Sequence, residues 1–422
     1  PAAGHTLSRP VRPSQEVARP EGYALVVDAL RAWDLDAAEK LLVRLKAGQP
    51  GLPEWEGLEG SILYLKGEFA KSIEQLDSAL RKRPGDSEWL ELRLHVRQSQ
   101  AAVEGFKVHR TPHFEIWHDP SDAVLLPHLG EALEASYRVL GDELGVRPKR
   151  PVRVEVFTDS ARFNKASTLS QSEIEGKGAV GICKFNKIMM LSPSALVRGY
   201  RWLDTASHEY VHYLIVLGTR NRTPIWLHEG IAKFLERRWR EQGTDYLNPG
   251  EEMLLSKARE ANTFIPFLKM EPSLIYLDTP EDVQLAYAEA ASAADFIQRR
   301  GGKKGLAQVL KAIGEAPEEK APAEAEPPKE KSASGAAEPP KEGAKPEEGA
   351  KKEEAQVEEP KKEEEAPSRR RASLVELEAT GPPQSAEPGL QKIFGVDLAG
   401  FEKKWAEDLK RRPLRAHPGA QI

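Results

Sequence analysis

Two histidines four residues apart, with a glutamate directly after the first, form the most chemically suggestive stretch of this 422-residue chain. On an α-helix, residues four apart share one face with Cβ atoms about 5 to 6 Å apart, so the imidazoles of His208 and His212 can converge on one ion. Catalytic zinc takes three protein ligands and keeps one position for water. Glu209 lies about 100° around the helix, where its carboxylate can act as a base on that water. The alternative is a buried helix whose two histidines are satisfied within the core.

A third ligand is expected on the next helix. The first helix should end within residues 218–221, and Thr223-Pro224 can open a second helix after a short turn. Glu229 then lies early on the second helix and approaches the ion from the side opposite the histidine pair, which completes a three-ligand zinc site. Two alternatives stay open, because Glu229 could instead pair with Lys233, or Glu236 could take its place as the ligand.

Two further polar residues lie close to the motif. His228 points about 100° away from its neighbour Glu229, so it is expected either to contact a ligand rather than the metal or to lie at the surface. Asp204 precedes His208 by one turn and either orients that ligand or caps the helix. Three more histidines lack any metal-ligand spacing and are interpreted as strand and loop residues: His113, His118 and His128.

The elements before the motif mix strands with helices. Residues 113–118 and 152–157 alternate apolar and polar side chains at period two, which is typical of half-buried strands. Residues 125–144 show helical spacing, and residues 181–191 form either one strand or a hairpin. Because the pattern lacks the regular crossovers of a doubly wound sheet, it predicts an α+β domain that carries the motif helix.

Residues 21–105 are predicted to form paired helices. Apolar residues recur at helical spacing on both sides of the turn Lys66-Gly-Glu-Phe69, and Arg83-Pro-Gly-Asp86 closes the unit, an arrangement that resembles tetratricopeptide repeats. Two such units are few for an independent solenoid, which favours docking onto the following domain. Their surface either binds a protein partner or serves only helical packing.

One internal segment and both ends have compositions that do not suit a folded core. Residues 315–372 consist of Glu, Lys, Pro and Ala with hardly any large apolar side chain, so they are predicted to be a disordered insertion. Residues 373–410 regain helical periodicity and are predicted to complete the domain formed by residues 109–314. Residues 1–20 and 411–422 are predicted to be flexible ends.

Composition excludes several classes of protein. A formal net charge of −5, spread over charges of both signs, gives no basic field that would recruit nucleic acid. No apolar run approaches the roughly 20 residues that span a bilayer. Cys183 is the single cysteine, which excludes a disulfide framework and favours a core thiol over a reactive one. The start at Pro1 and the Pro, Arg and Ser-rich stretch after it are typical of a mature terminus, and so suggest an exported or periplasmic protein.

The motif residues also carry a family resemblance. His208-Glu209-x-x-His212, followed by Pro224-x-Trp226-Leu-x-Glu229-Gly230-x-Ala232, resembles the peptidase MA-like metallopeptidases, a branch of the gluzincins. The resemblance covers about residues 109–314 and 373–410, and the charged insertion departs from the family pattern. Further segments match the family in their order along the chain: the strand ending at Phe157 with Phe163 after it, Leu191-Ser-Pro193, Tyr287 with its following helix, and Gly395 to Trp405.

The resemblance implies a zincin-like fold, and tetratricopeptide-like repeats often accompany such domains. It implies that Glu229 is the third ligand and that a small sheet has an edge strand bordering the zinc cleft. Residues 184–191 are the strand expected to pair with an extended substrate. By family position Tyr287 would stabilise the oxyanion of the tetrahedral intermediate, and a packed core tyrosine is the alternative.

We therefore predict an α+β, zincin-like zinc metallopeptidase that follows an all-α, tetratricopeptide-like region. His208, His212 and Glu229 would hold Zn²⁺, and a zinc-bound water activated by Glu209 would hydrolyse a peptide bond in a peptide or protein substrate. The rival prediction is a catalytically silent scaffold whose repeats bind a protein partner. Glu209 favours the enzyme, because a structural zinc site needs no free carboxylate at that position.

Overall fold

The computed structural model describes residues 19–170, 173–174, 178–240, 245–316 and 384–414. Within these residues the chain is a mixed α+β protein, predominantly helical, with one five-stranded sheet, which confirms the α+β part of the predicted fold. No helix in the described ranges is both long and apolar enough to cross a bilayer, as predicted. The predicted disordered insertion and the predicted flexible ends lie almost wholly outside the described residues.

The sheet combines parallel and antiparallel pairs. Its strands are β1 (Lys107–Arg110), β2 (Phe114–His118), β3 (Val152–Phe157), β4 (Gly181–Lys184) and β5 (Lys187–Leu191). Their order across the sheet is β1-β2-β3-β5-β4. β3 runs parallel to its neighbours β2 and β5, whereas β1 and β4 pair antiparallel with β2 and β5 respectively. The two strands predicted from period-two alternation are β2 and β3.

β4 and β5 form a hairpin, which decides between the two interpretations of residues 181–191. Phe185 and Asn186 form its two-residue turn with φ angles of 54° and 58°, the left-handed pair that a type I′ turn requires. The prediction that residues 184–191 form the edge strand is wrong. β5 is paired with β3 on one side and β4 on the other, so its backbone groups are used within the sheet, and β4 is the edge instead.

Five helices precede the sheet: α1 (Tyr23–Arg31), α2 (Leu35–Gly48), α3 (Pro53–Leu65), α4 (Phe69–Lys82) and α5 (Ser87–Ala102). Consecutive helices of this set pack against each other, and the side chains of Asp34 and Asp86 cap α2 and α5. Their core continues into the sheet, because Phe157, Met189 and Leu191 belong to the same buried cluster. These five helices, called the helical region below, therefore lie against one face of the sheet.

The opposite face of the sheet carries a second core. Side chains of Val154, Val156, Ile188 and Met190 point to this face, because they alternate with the residues that contact the helical region. The remaining helices are α6 (Leu126–Leu144), α7 (Ser160–Ser167), α8 (Trp202–Thr219), α9 (Ile225–Leu235), α10 (Pro249–Ala261), α11 (Pro280–Gly301), α12 (Gly305–Glu315), α13 (Glu387–Phe394) and α14 (Leu398–Arg411). All of these except α7 contribute to the second core.

The last two helices return to the core that the earlier helices build. Trp405 of α14 is buried and its indole N–H donates to the Ser292 hydroxyl at 3.1 Å. The Arg222 guanidinium donates to the carbonyl of Ala316 at 2.7 Å, and the Arg222 carbonyl accepts from the N–H of Ser385 at 3.2 Å. Arg222 therefore contacts both Ala316, at the end of one described range, and Ser385, near the start of the next.

Candidate metal centre

The two motif histidines lie on α8, which is buried along most of its length. α8 ends at Thr219, where Arg220 adopts a left-handed conformation with φ 55°, and Pro224 is the N-cap of α9. The predicted end of the first helix is therefore confirmed, and the second helix starts one residue after the predicted Thr223-Pro224. α8 and α9 pack against each other, which brings Glu229 to the histidine-bearing face of α8.

Three ligand atoms converge between these two helices. The Nε2 atoms of His208 and His212 lie 3.4 Å and 3.5 Å from one carboxylate oxygen of Glu229. One ligand atom from each of the three side chains can be chosen so that all lie within 4.8 Å of one another. The three side chains are only 11 to 17% exposed. The structure thus brings together the three residues predicted as metal ligands.

The charges of Glu229 and of the histidines beside it depend on one another. Burial acts to raise the pKa of Glu229, but His212 and His208 outweigh it and hold that pKa well below its usual range. Burial alone would lower the pKa of His208, yet hydrogen bonds to Glu229 and Glu236 raise it to about 10. A negative carboxylate facing two imidazoles favours a bound cation, whether a proton or a metal ion.

Glu236 contacts Nδ1 of His208, the ring nitrogen that does not face Glu229. Its carboxylate lies 3.2 Å from His208 Nδ1, while Lys233 holds the second oxygen at 2.9 Å and also contacts Glu251 at 3.1 Å. The first alternative paired Glu229 with Lys233, but Lys233 contacts Glu236 and Glu251. Glu236 occupies the side of the ring away from Glu229. A carboxylate on the second nitrogen orients a metal-bound imidazole and raises its basicity.

His228 supports the second histidine in the same way. Its Nδ1 lies 2.5 Å from Nδ1 of His212, and the two rings stack with centroids 4.7 Å apart. Burial, with help from the nearby His212, lowers the pKa of His228 to about 3, so its ring is neutral and its Nδ1 can accept a hydrogen bond from the Nδ1–H of His212. The Nε2 lone pair of His212 then faces the Glu229 carboxylate, an arrangement that a cation between them would stabilise.

Glu209 is buried against the edge strand β4. Its carboxylate accepts a hydrogen bond from the backbone N–H of Cys183, and a Cβ atom at Gly181 would lie 2.7 Å from its Oε1. Burial raises the pKa of Glu209, while His212 and His208 act in the opposite direction. Burial, with Glu209 beside it, raises the pKa of the Cys183 thiol well above its usual value, which agrees with the interpretation of Cys183 as an unreactive thiol.

Tyr287 reaches the centre from α11. α9 and α11 are packed so closely that a Cβ atom on Gly230 would lie 2.4 Å from the carbonyl oxygen of Ala290. Burial raises the pKa of Tyr287 well above its usual value, and Glu229 and the other carboxylates of the centre add to the effect. The phenol therefore stays protonated beside the cluster. Tyr287 also packs partly against the second core, so both interpretations of it remain open.

Asp204 does neither of the things predicted for it. It lies inside the first turn of α8, where its carboxylate accepts from the Trp239 indole at 3.0 Å and from the Arg240 guanidinium at 2.6 Å. It therefore ties the start of α8 to the segment after α9. No local pattern in the sequence indicated these two partners, because they lie more than 30 residues away in the chain.

Of the three histidines predicted to be strand and loop residues, His113 and His118 make contacts of a structural kind. His128 lies exposed on α6, so the prediction is wrong for that residue. His113 Nδ1 lies 2.7 Å from Glu134, and its ring stacks on Tyr137. His118 Nδ1 contacts the carbonyl of Asp119 at 2.8 Å. Within the described part of the chain, the one group of His, Cys, Asp and Glu side chains spaced to hold a metal is the cluster on α8 and α9.

Comparisons of the chain with protein-family models, with curated proteins and with solved structures found no match. The resemblance to the peptidase MA-like metallopeptidases therefore depends on the motif and the matching segments of this sequence alone. The geometry of the cluster has to support any assignment of function.

Proposed function

We propose that this chain is a zinc-dependent peptidase with a zincin-like fold, related to the peptidase MA-like metallopeptidases. The observation that carries the proposal is the convergence of two imidazole nitrogens and one carboxylate oxygen, with Glu209 beside them. His208 and His212 present Nε2 to the same point, and each uses its other nitrogen for a supporting contact. Such supporting contacts are typical of histidines that bind a metal.

The distances from Glu229 to the two imidazoles fit zinc. Bonds of about 2.0 to 2.1 Å in a tetrahedral site separate the ligand atoms by about 3.3 Å. The distances of 3.4 Å and 3.5 Å from the Glu229 oxygen to the two Nε2 atoms are close to that value. Two imidazoles and one carboxylate leave a fourth position open, as catalytic zinc sites do, whereas a structural site would use four protein ligands.

The chain's own residues supply the proton transfers. Zinc, when bound, acts as a Lewis acid that activates water and polarises the peptide carbonyl. The Glu209 carboxylate takes one proton as the water oxygen bonds to the carbonyl carbon. It returns that proton to the amine nitrogen as the carbon–nitrogen bond breaks. Burial raises the pKa of Glu209 and thereby moves this pKa in the direction of neutral pH. A group whose pKa is close to the working pH can both accept and release a proton. The protonated Tyr287 hydroxyl would donate to the oxyanion.

The edge strand suits a substrate in extended conformation. β4 pairs with β5 through Ile182 and Lys184, so the backbone groups of Gly181 and Cys183 point away from the sheet. The N–H of Cys183 donates to the Glu209 carboxylate, which places this edge beside the proposed base. An extended peptide that added a strand along β4 would bring its backbone past the cluster.

Metal content and peptide cleavage test the proposal together. Purified wild type is expected to hold one zinc per chain and to cleave members of a peptide library. His208→Ala should lose the zinc, and Glu209→Gln should keep it but lose cleavage, because the amide cannot accept the proton. Glu236→Gln should weaken zinc binding by about 10- to 100-fold, since it removes the carboxylate that orients His208.

The matched control is His128→Ala, because His128 is an exposed histidine away from the cluster. It should retain both zinc and cleavage. Wild type without stoichiometric zinc, or a Glu209→Gln variant that cleaves as fast as wild type, would contradict the proposal. The catalytically silent scaffold would then be the better account of the chain.

A further inference from the structure

The helical region contacts the sheet through the turn of the β4–β5 hairpin. Phe185, at the tip of that turn, is 3% exposed. Its ring lies between two residues of the helical region, with centroids 5.3 Å from Tyr64 on α3 and 4.9 Å from His95 on α5. The side chain at the end of the hairpin is therefore inserted among the helices.

Two bulky aromatic residues adopt left-handed backbone conformations, and both lie at this contact. Phe185 has φ 54°, and Trp33, in the loop between α1 and α2, has φ 55°. Trp33 packs in the other direction, with its ring 5.1 Å from Tyr213 on α8. A left-handed conformation is costly for a large side chain, so it persists only where surrounding contacts outweigh it. Phe185 obtains those contacts among α3 and α5, and Trp33 obtains them against Tyr213.

Asn186 joins the helical region to the helix that carries the motif histidines. Its side-chain amide donates to the carbonyl of Leu65 at the end of α3, at 3.1 Å. Its side-chain oxygen accepts from the Tyr213 hydroxyl at 2.7 Å. Tyr213 directly follows His212 in the sequence. One side chain in the hairpin turn thus contacts both α3 and α8.

Buried charges reinforce the same contact. Glu155 on β3 is fully buried and holds Arg153 at 2.6 Å and Lys187 at 2.9 Å. The Arg153 guanidinium lies over the ring of Phe69 at 4.9 Å, and the Lys187 ammonium lies over the same ring at 5.6 Å. Two cations of the sheet thus contact an aromatic ring at the start of α4, with their charge balanced partly by one carboxylate.

We infer that the helical region takes the Phe185–Asn186 turn of its own chain as its ligand, and that Asn186 is a positioning residue that holds β4 beside Glu209. The inference rests on the proposed function for its catalytic consequence, but not for the docking itself. It also gives this face of the repeats an occupant within the chain, in place of the external protein partner that the sequence suggested.

The test uses the full chain and its single cysteine. Cys183 lies on β4, two residues before the turn, so its rate of alkylation by iodoacetamide reports how firmly β4 is held. Asn186→Gly removes both side-chain hydrogen bonds and keeps a residue suited to a left-handed turn. Phe185→Gly removes the inserted ring on the same principle. Asn262→Gly is the matched control, because Asn262 has φ 53° at the end of α10, away from the hairpin.

Both turn variants are expected to raise the alkylation rate about tenfold, consistent with the loss of one or two hydrogen bonds, while Asn262→Gly leaves it unchanged. For Asn186→Gly, kcat/KM for peptide cleavage should fall about tenfold with zinc content retained. An unchanged alkylation rate in both turn variants would overturn the docking. A raised rate with unchanged kcat/KM would overturn the positioning role.

The failure of the proposed function would be visible separately. A wild type that holds no zinc and cleaves no peptide would refute the peptidase, whereas the alkylation rates would still decide whether the turn is docked. Tyr213→Phe removes only the bond between Asn186 and α8. It is expected to lower kcat/KM less than Asn186→Gly does, and an equal or larger fall would show that the contact with α3 contributes nothing.

Discussion

His95 offers a sharp prediction about stability in acid. It lies on α5, is 4% exposed, and its Nε2 is 2.6 Å from the Tyr64 hydroxyl. Burial lowers the pKa of His95 from 6.5 to about 3, and the nearby cations of Lys187 and Lys184 act in the same direction. The folded protein therefore holds this ring neutral at a pH where the unfolded chain has already taken up a proton.

The sign and size of the effect follow from this difference. The free energy of unfolding rises with pH wherever the unfolded chain binds more protons than the folded one. The contribution of His95 is therefore fully present above about pH 6.5 and is lost as the pH falls toward about 3. One pH unit corresponds to about 1.4 kcal/mol, so lowering the pH from 7.5 to 5.0 should cost about 2 kcal/mol through this one group.

Urea unfolding of wild type and His95→Gln at pH 7.5, 6.0 and 5.0 measures it. Glutamine places a polar atom near the ring Nε2 and can keep the contact with Tyr64, but it does not titrate. All other titrating groups are shared, so the difference between the two pH dependences isolates His95. Wild type should lose about 2 kcal/mol more than the variant between pH 7.5 and 5.0. Parallel pH dependences would refute the reasoning from burial.

Three other expectations concern stability. Gly230→Ala places a methyl group against the Ala290 carbonyl and should lower the free energy of unfolding in urea by about 1 to 3 kcal/mol, whereas Gly48→Ala, which meets no atom within 4 Å, should cost nothing. Lys187→Met leaves the buried Glu155 carboxylate short of a partner and should cost about 3 kcal/mol in the same assay, with a cost near zero contradicting the pairing. Removal of the proposed zinc by a chelator should lower the Tm, since a metal at 100 times its Kd contributes about 2.7 kcal/mol, and an unchanged Tm would argue against a bound metal.

Local sequence patterns predicted the parts of the molecule that depend on neighbours in the chain. The spacing of His208 and His212 needs only a helix to bring both rings to one side, and the short connection to α9 limits where Glu229 can lie. The alternation within β2 and β3 likewise reflects one buried face of a strand. The α+β class and the convergence of the three side chains were accessible from the sequence for this reason.

Contacts between distant segments were not accessible in the same way. The order of strands decides that β4 is the edge, and no periodicity within residues 181–191 encodes that order. The partners of Asp204 lie after α9, and the need for glycine at position 181 appears only once Glu209 is packed against it. Glu236 was recognised as a rival ligand, but its place behind the His208 ring depends on how α8 and α9 pack.

The double contact of Arg222 has a consequence for how the core tolerates change. Ala316 and Ser385 both bond to this one residue, so the two described residues on either side of positions 317–384 are held at one point of the core. In general, doubling the number of residues between two fixed ends costs only about 0.6 kcal/mol in closure entropy, so insertions between residues 316 and 385 should change stability little. Fragments separated by a cut between residues 316 and 385 should therefore reassociate by complementation, with α13 and α14 docking back onto the core as a separate chain.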